Sequence, residues 1–99
     1  MLNITASTAG DELTVCLEGK LDTTSSPSLE KTLSENLEGI NRLILDMSAL
    51  EYVSSAGLRV LLSVQKTMSR RRGLIVRRPS QTVMEIFDVT GFSDILIFE

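Results

Sequence analysis

The sequence predicts an α/β domain on a single mixed five-stranded sheet, with elements in the order β-β-α-β-α-β-α-β and strands adjacent in the order 1-2-3-4-5. Three observations predict it. Two short apolar segments open the chain, the second of them alternating, and a small polar turn joins them. Three later apolar segments each follow a stretch with apolar residues at helical spacing. Each such stretch is opened by serine or proline and closed by glycine. Consecutive strand-helix-strand units require right-handed crossovers and parallel strands, and the opening hairpin adds the first strand antiparallel.

The hairpin strands are Leu2 to Ala6 and Glu12 to Glu18, joined through Thr8-Ala9-Gly10-Asp11. In the second, Leu13, Val15 and Leu17 alternate with Thr14, Cys16 and Glu18, which makes one face more apolar. Cys16 reads there as a buried small apolar side chain. Gly19-Lys20-Leu21-Asp22 leads into the hydroxyl-rich run Thr23 to Ser26, and Pro27 suits the first turn of a helix. That helix runs from about Pro27 to Glu38, with Leu29, Leu33 and Leu37 on one face, and stops at Gly39.

Arg42 to Asp46 is the third strand. Its Leu43, Ile44 and Leu45 are continuous rather than alternating, so the strand is expected to be covered on both faces. Met47 to Val53 reads as a connection. A second helix starts at Ser54-Ser55, with Val60, Leu61, Val64 and Met68 inward and Arg59, Gln65 and Lys66 facing elsewhere. Arg70-Arg71-Arg72 is expected to close it, where cations favour exposed carbonyls, before Gly73. Leu74-Ile75-Val76 is the fourth strand. The third helix opens at Pro79-Ser80, carries Val83, Met84, Ile86 and Phe87, and ends at Gly91, before a last strand from Ile95 to Phe98.

No linker or low-complexity segment divides the 99 residues, so a single domain over 1–99 is expected. Every apolar run is far shorter than the roughly 20 residues needed to cross a bilayer. The start of the chain does not read as a signal peptide, and the expected location is cytoplasmic. One cysteine and no histidine exclude an internal disulfide and a thiolate metal cage, and weaken any hydrolase or metalloenzyme reading. No cofactor and no metal are expected. The net charge of −3 argues against nonspecific nucleic-acid binding. Arg70, Arg71, Arg72, Arg77 and Arg78 form a local basic exception, but no aromatic residues are interleaved to stack bases.

Sites in parallel sheets lie at the carboxyl ends of the strands. Two polar loops fall there: Asp22 to Ser26 after the second strand, and Asp46, Ser48, Ser54 and Ser55 after the third. Neighbouring strands should bring them onto one surface. One serine of the Ser54-Ser55 pair is enough to cap the second helix, and the other is left as a candidate phosphoryl acceptor. A phosphate there would lie at the positive end of the helix dipole, adding bulk and charge to a surface without unfolding the domain. Gly57 has two readings of equal weight, close approach of a partner's backbone or close packing of the helix. Asp46 reads first as a surface carboxylate that caps backbone N–H groups.

The stretch from Leu45-Asp46-Met47-Ser48 through Tyr52-Val53-Ser54-Ser55-Ala56-Gly57-Leu58-Arg59-Val60-Leu61 resembles the signature of STAS domains, especially stand-alone anti-sigma factor antagonists. Gly19-Lys20-Leu21-Asp22 and Phe87-Asp88-Val89-Thr90-Gly91-Phe92 resemble the family's other two motifs, in the right order and spacing. The resemblance implies a binding switch rather than an enzyme. An unphosphorylated antagonist binds an anti-sigma factor that is also a serine kinase; phosphorylation blocks binding, and a PP2C-like phosphatase restores it. The acceptor, two residues before the glycine, maps onto Ser55, with Ser54 as secondary candidate. Many antagonists read Asp-Ser-Ser-Gly where this chain has Ser54-Ser55-Ala56-Gly57. The implied partner surface is Asp22, Thr23, Ser54, Ser55, Ala56, Gly57, Leu58 and Arg59. Asp22 reads equally as a turn-capping carboxylate and as a contact to the kinase. The free protein is expected to be a monomer, with no nucleic-acid partner and no membrane insertion.

Two other classes fit poorly. A phosphoaspartate receiver with Asp46 as acceptor would need an acidic cluster and a later lysine, and the chain offers only Asp22 and no lysine beyond Lys66. A GTPase or kinase would need a glycine-rich phosphate loop, which is missing. The runner-up is a STAS module that regulates another partner, such as a phosphatase, a secretion pathway or a lipid or anion transporter.

Overall fold

The computed structural model describes residues 1–99. The elements are β1 (Leu2–Ala9), β2 (Glu12–Leu21), α1 (Ser26–Asn36), β3 (Arg42–Val53), α2 (Ser55–Met68), β4 (Gly73–Arg77), α3 (Gln81–Thr90), a 3-10 turn (Phe92–Asp94) and β5 (Ile97–Phe98). The sheet has the predicted order β1-β2-β3-β4-β5. β1 pairs antiparallel with β2, and every later pair is parallel.

That order decides where the helices go. Strands added in one direction by crossovers of one hand place all helices on the same side of the sheet. Apolar residues of α1, α2 and α3 accordingly join alternate residues of β2, β3 and β4 in one cluster of 22 buried side chains. The other side of the sheet stays open. Cys16, expected to be buried, is exposed there beside exposed Glu18. Ile44 is only 2% exposed, yet it lies outside that cluster. It shares its register with Thr14 and Ile75 on neighbouring strands. The continuous run Leu43 to Leu45 thus does not mean that helices cover both faces.

The expected connection Met47 to Val53 is strand. It pairs with Glu18 to Leu21 of β2 through two register shifts, Cys16↔Asp46 to Glu18↔Ala49 and Gly19↔Leu50 to Lys20↔Tyr52. Each shift adds one residue to β3, a bulge that spaces the inward residues Met47, Leu50 and Val53 by three instead of two. The period of two is lost, although the ladder continues. The last strand is shorter than expected because Ile95 and Leu96 still bond back to the Phe92 carbonyl. Gly91, in the left-handed region at φ 82°, turns the chain so that Phe92 stacks on Phe87 with ring centroids 6.4 Å apart.

Candidate functional site

β2 and β3 end together: Leu21 is the register partner of Val53, and the Ser54 N–H donates to the Leu21 carbonyl at 2.8 Å. The loop from Asp22 and the start of α2 therefore form one surface at the strand ends, as the sequence predicted. A shallow cleft of about 170 Å³ runs between them, lined by Thr23, Ala56 and Arg59 among others.

The α1 side is a closed network. The Asp22 carboxylate accepts from the Thr24 N–H at 3.1 Å and from the Ser25 N–H at 3.0 Å. The Ser25 hydroxyl accepts from the Asp22 N–H at 2.9 Å, and its single proton faces the Lys20 carbonyl at 2.8 Å and the Asp22 carboxylate at 3.1 Å. The Ser26 hydroxyl donates to the Asp22 carbonyl at 2.6 Å. Both serines are buried, leaving Thr23 and Thr24 as the exposed hydroxyls of the run. The N–H and hydroxyl of Ser25, with the N–H of Thr24, hold the Asp22 carboxyl below its usual range.

At α2 the two serines part company. Ser54 has extended backbone, and its hydroxyl accepts from the Gly57 N–H at 3.2 Å, so Ser54 is the cap. Ser55 opens the helix, exposed, with its hydroxyl engaged by no other group of the chain. Ala56 is half-buried and Arg59 exposed. Gly57 faces inward: a Cβ there would lie 2.8 Å from Leu21 Cγ and 3.0 Å from both the Leu21 carbonyl and Val53 Cγ1. Its missing side chain lets α2 sit on the ends of β2 and β3. Close packing, not a partner's approach, accounts for it. Leu58, 9% exposed, turns into the core and supports the surface from beneath. The part of the expected partner surface that reaches solvent is thus exposed Thr23, Ser55 and Arg59 together with half-buried Asp22, Ser54 and Ala56.

Two further expectations change. α2 ends at Met68, so Arg70 to Arg72 lie in the turn beyond it and do not close it. Arg71 instead donates to the Leu37 and Ile40 carbonyls, both at 2.7 Å, satisfying the end of α1. Asp46 does accept from a backbone N–H, that of Ser48 at 3.0 Å, but it is not at the surface: it is 8% exposed, within β3, and paired with Arg78 at 2.6 Å. Burial pushes its carboxyl up, but the Ser48 N–H, the Arg78 guanidinium and the Ser48 hydroxyl together hold it below the usual value. Arg78, at φ 49°, is the one non-glycine residue with positive φ. No short-range pattern could have revealed a pair 32 residues apart.

A one-sided α/β sheet that presents a capped helix and a free serine at its strand ends defines a small domain built around an exposed surface rather than an enclosed pocket. The STAS domain family model matches residues 3–99, and the chain belongs to that family. BtrV of Bordetella bronchiseptica, by name an anti-sigma factor antagonist, is 36% identical over 85 residues, spanning 84% of this chain and 73% of BtrV. The anti-sigma-B factor antagonist of Staphylococcus epidermidis is 28% identical, spanning 96% of this chain and 90% of its own. Among solved structures, an anti-sigma factor antagonist from Mycobacterium paratuberculosis shares the fold at TM-score 0.88 and 19% identity, covering 99% of this chain and 85% of that one. The anti-sigma factor antagonist SpoIIAA in its unphosphorylated form follows at TM-score 0.81 and 18% identity, covering 100% and 88%.

Proposed function

We propose that this protein is an anti-sigma factor antagonist that acts as a partner switch, binding without turnover of its own. In its unmodified form it holds an anti-sigma factor with serine kinase activity against the surface that joins Asp22, Thr23 and the start of α2. The kinase transfers the γ-phosphoryl group of ATP to the Ser55 oxygen, which loses its proton, and ADP leaves. A PP2C-like phosphatase then hydrolyses the ester with water, returning serine and inorganic phosphate. The exchange takes place in the cytoplasm, with the free antagonist a monomer.

The observation that carries this reading is the division of labour between the serines. Ser54 is committed to the helix cap, whereas Ser55 is exposed and free. A phosphate on Ser55 adds about −1.5 to −2 charges at the helix N-terminus, where the dipole tolerates them, so modification alters the surface and leaves the fold in place.

Incubation with the cognate kinase and ATP should add one phosphate to the peptide spanning Tyr52 to Arg59. Ser55→Ala should prevent the addition and keep kinase binding, while Ser55→Glu should weaken binding by placing charge in the interface. Far-UV circular dichroism should be unchanged for both. A phosphate located on Ser54, or a Ser55→Glu variant that binds as tightly as wild type, would overturn the assignment.

A further inference from the structure

The cleft beside Ser55 continues down the molecule. It shares Glu30 and Val60 with a larger hollow of about 290 Å³ between α1 and α2, walled by Leu33, Leu37 and Val64. That hollow in turn shares Ser63 and Thr67 with a third, bounded by Lys66, Arg70 and Arg71. Ala56, Ser63 and Thr67 recur at helical spacing along α2, and small side chains at these positions make the trough. It follows the whole of α2, about 21 Å at 1.5 Å per residue.

Its two ends differ in charge. The molecule's two ion pairs use Arg77 and Arg78. Lys66, Arg70 and Arg71 are exposed and have no carboxylate partner, in a chain whose net charge is −3. The trough's three sections, of about 170, 290 and 510 Å³, are all open to solvent along its length, which suits an extended segment of a partner rather than an enclosed small molecule. No aromatic residue lines it to stack a base.

We propose that the trough between α1 and α2 seats an amphipathic helix of the protein bound at Ser55, with that helix's carboxylates over Lys66, Arg70 and Arg71. This rests on the reading of Ser55 as the switch, because the trough is continuous with the Ser55 surface. Leu33, Val60 and Val64 are core side chains no more than 8% exposed and Leu37 is half-buried, so apolar side chains of the incoming helix, at i, i+3, i+4 and i+7, rest on the narrow apolar floor that these four leave between α1 and α2. Carboxylates are favoured at a helix N-terminus, so the seated helix runs antiparallel to α2, whose own C-terminal end carries the basic residues. A partner held along the full trough stays in register while the phosphoryl group is transferred at one end.

Two measurements test this. In titrations of the anti-sigma factor kinase, Ser63→Trp fills the trough from an exposed position, and the double variant Lys66→Glu, Arg70→Glu reverses its charged end; neither touches Ser55. Each should weaken binding roughly tenfold. The charge-reversal effect should shrink in about 0.5 M salt, whereas the Ser63→Trp effect should persist. If Ser55→Glu weakens binding while both trough variants bind like wild type, the trough proposal fails and the Ser55 switch stands.

The second measurement needs no natural partner. A synthetic four-turn helix with leucines on one stripe and glutamates in its first turn is added to the labelled protein and followed by NMR. Amide shifts should cluster on α1 and α2 from Ala56 to Arg71, and a version with lysines in place of glutamates should not produce them. Absence of such shifts, or their appearance only with an oligonucleotide or anionic vesicles at Arg70 to Arg72, would overturn the proposal whether or not a kinase binds at Ser55.

Discussion

The first turns of α1 and α2 are both rich in hydroxyls, and they use them in opposite ways. Before α1, Ser25 and Ser26 are buried and the hydroxyl proton of each finds a carbonyl or carboxylate of its own loop, while Thr23 and Thr24 stay exposed. At α2, Ser54 supplies the cap and Ser55 is left over. A count of serines does not find a site. What distinguishes a candidate acceptor is the hydroxyl that the fold does not consume, and that depends on which backbone donors and acceptors each turn leaves unpaired.

The comparison breaks first where α2 is pinned. Gly57→Val would press side-chain atoms onto Leu21 and Val53, already within 3.0 Å of a Cβ at that position. Destabilisation should reach about 3 kcal/mol, read as a lower melting temperature. A Gly57→Val variant that melts like wild type would mean that α2 is not held on the strand ends, and the exposure of Ser55 would lose its structural basis.

Ser25→Ala tests the closed side. It removes the partner of the Lys20 carbonyl and of the Asp22 N–H in a buried setting, at a cost of about 2 kcal/mol. Ser54→Ala, which removes a single cap bond, should cost about 1 kcal/mol. Ser55→Ala should stay within about 0.5 kcal/mol of wild type. Chemical denaturation of the three would rank them, and equal losses for Ser54→Ala and Ser55→Ala would erase the division of labour.

Much of this contrast is legible in the sequence. Pro27, Gly39, Ser80 and Gly91 mark helix ends through local backbone preferences, and the alternation in Leu13, Val15 and Leu17 marks the core face. The serine pair could be read as one cap and one spare, but which was which depended on the extended backbone of Ser54. The strand character of Met47 to Val53 stayed hidden because two bulges destroy the period on which strand reading depends. Cys16 was misplaced for a topological reason. It lies on the face opposite Leu13, Val15 and Leu17, and only the placement of all three helices on one side of the sheet leaves that opposite face open. The basic turn Arg70 to Arg72 failed similarly, since the bonds from Arg71 reach back to Leu37 and Ile40 across the fold.

The smallest effect separates charge from geometry on the closed side. Asp22→Asn keeps an oxygen that can accept from Thr24, Ser25 and the Ser25 hydroxyl, and removes only the negative charge. The Asp22 carboxyl is held below its usual range in the folded chain, so the folded protein binds its proton less readily than the unfolded chain does. By linkage, the stability this contributes is fully present above the unfolded-state value of about 3.9, and is lost as pH falls through the lower folded-state value. Wild type should therefore melt above Asp22→Asn at neutral pH, and the gap should close as pH is lowered from about 4. Asp46 titrates in the same direction, and it is present in both proteins, so it lowers both melting temperatures and cancels in their difference. A gap that persists unchanged into acid would assign the advantage of Asp22 to the shape of its turn and not to its charge. The network before α1 would then be a rigid scaffold for the Ser55 surface, indifferent to charge placed beside it.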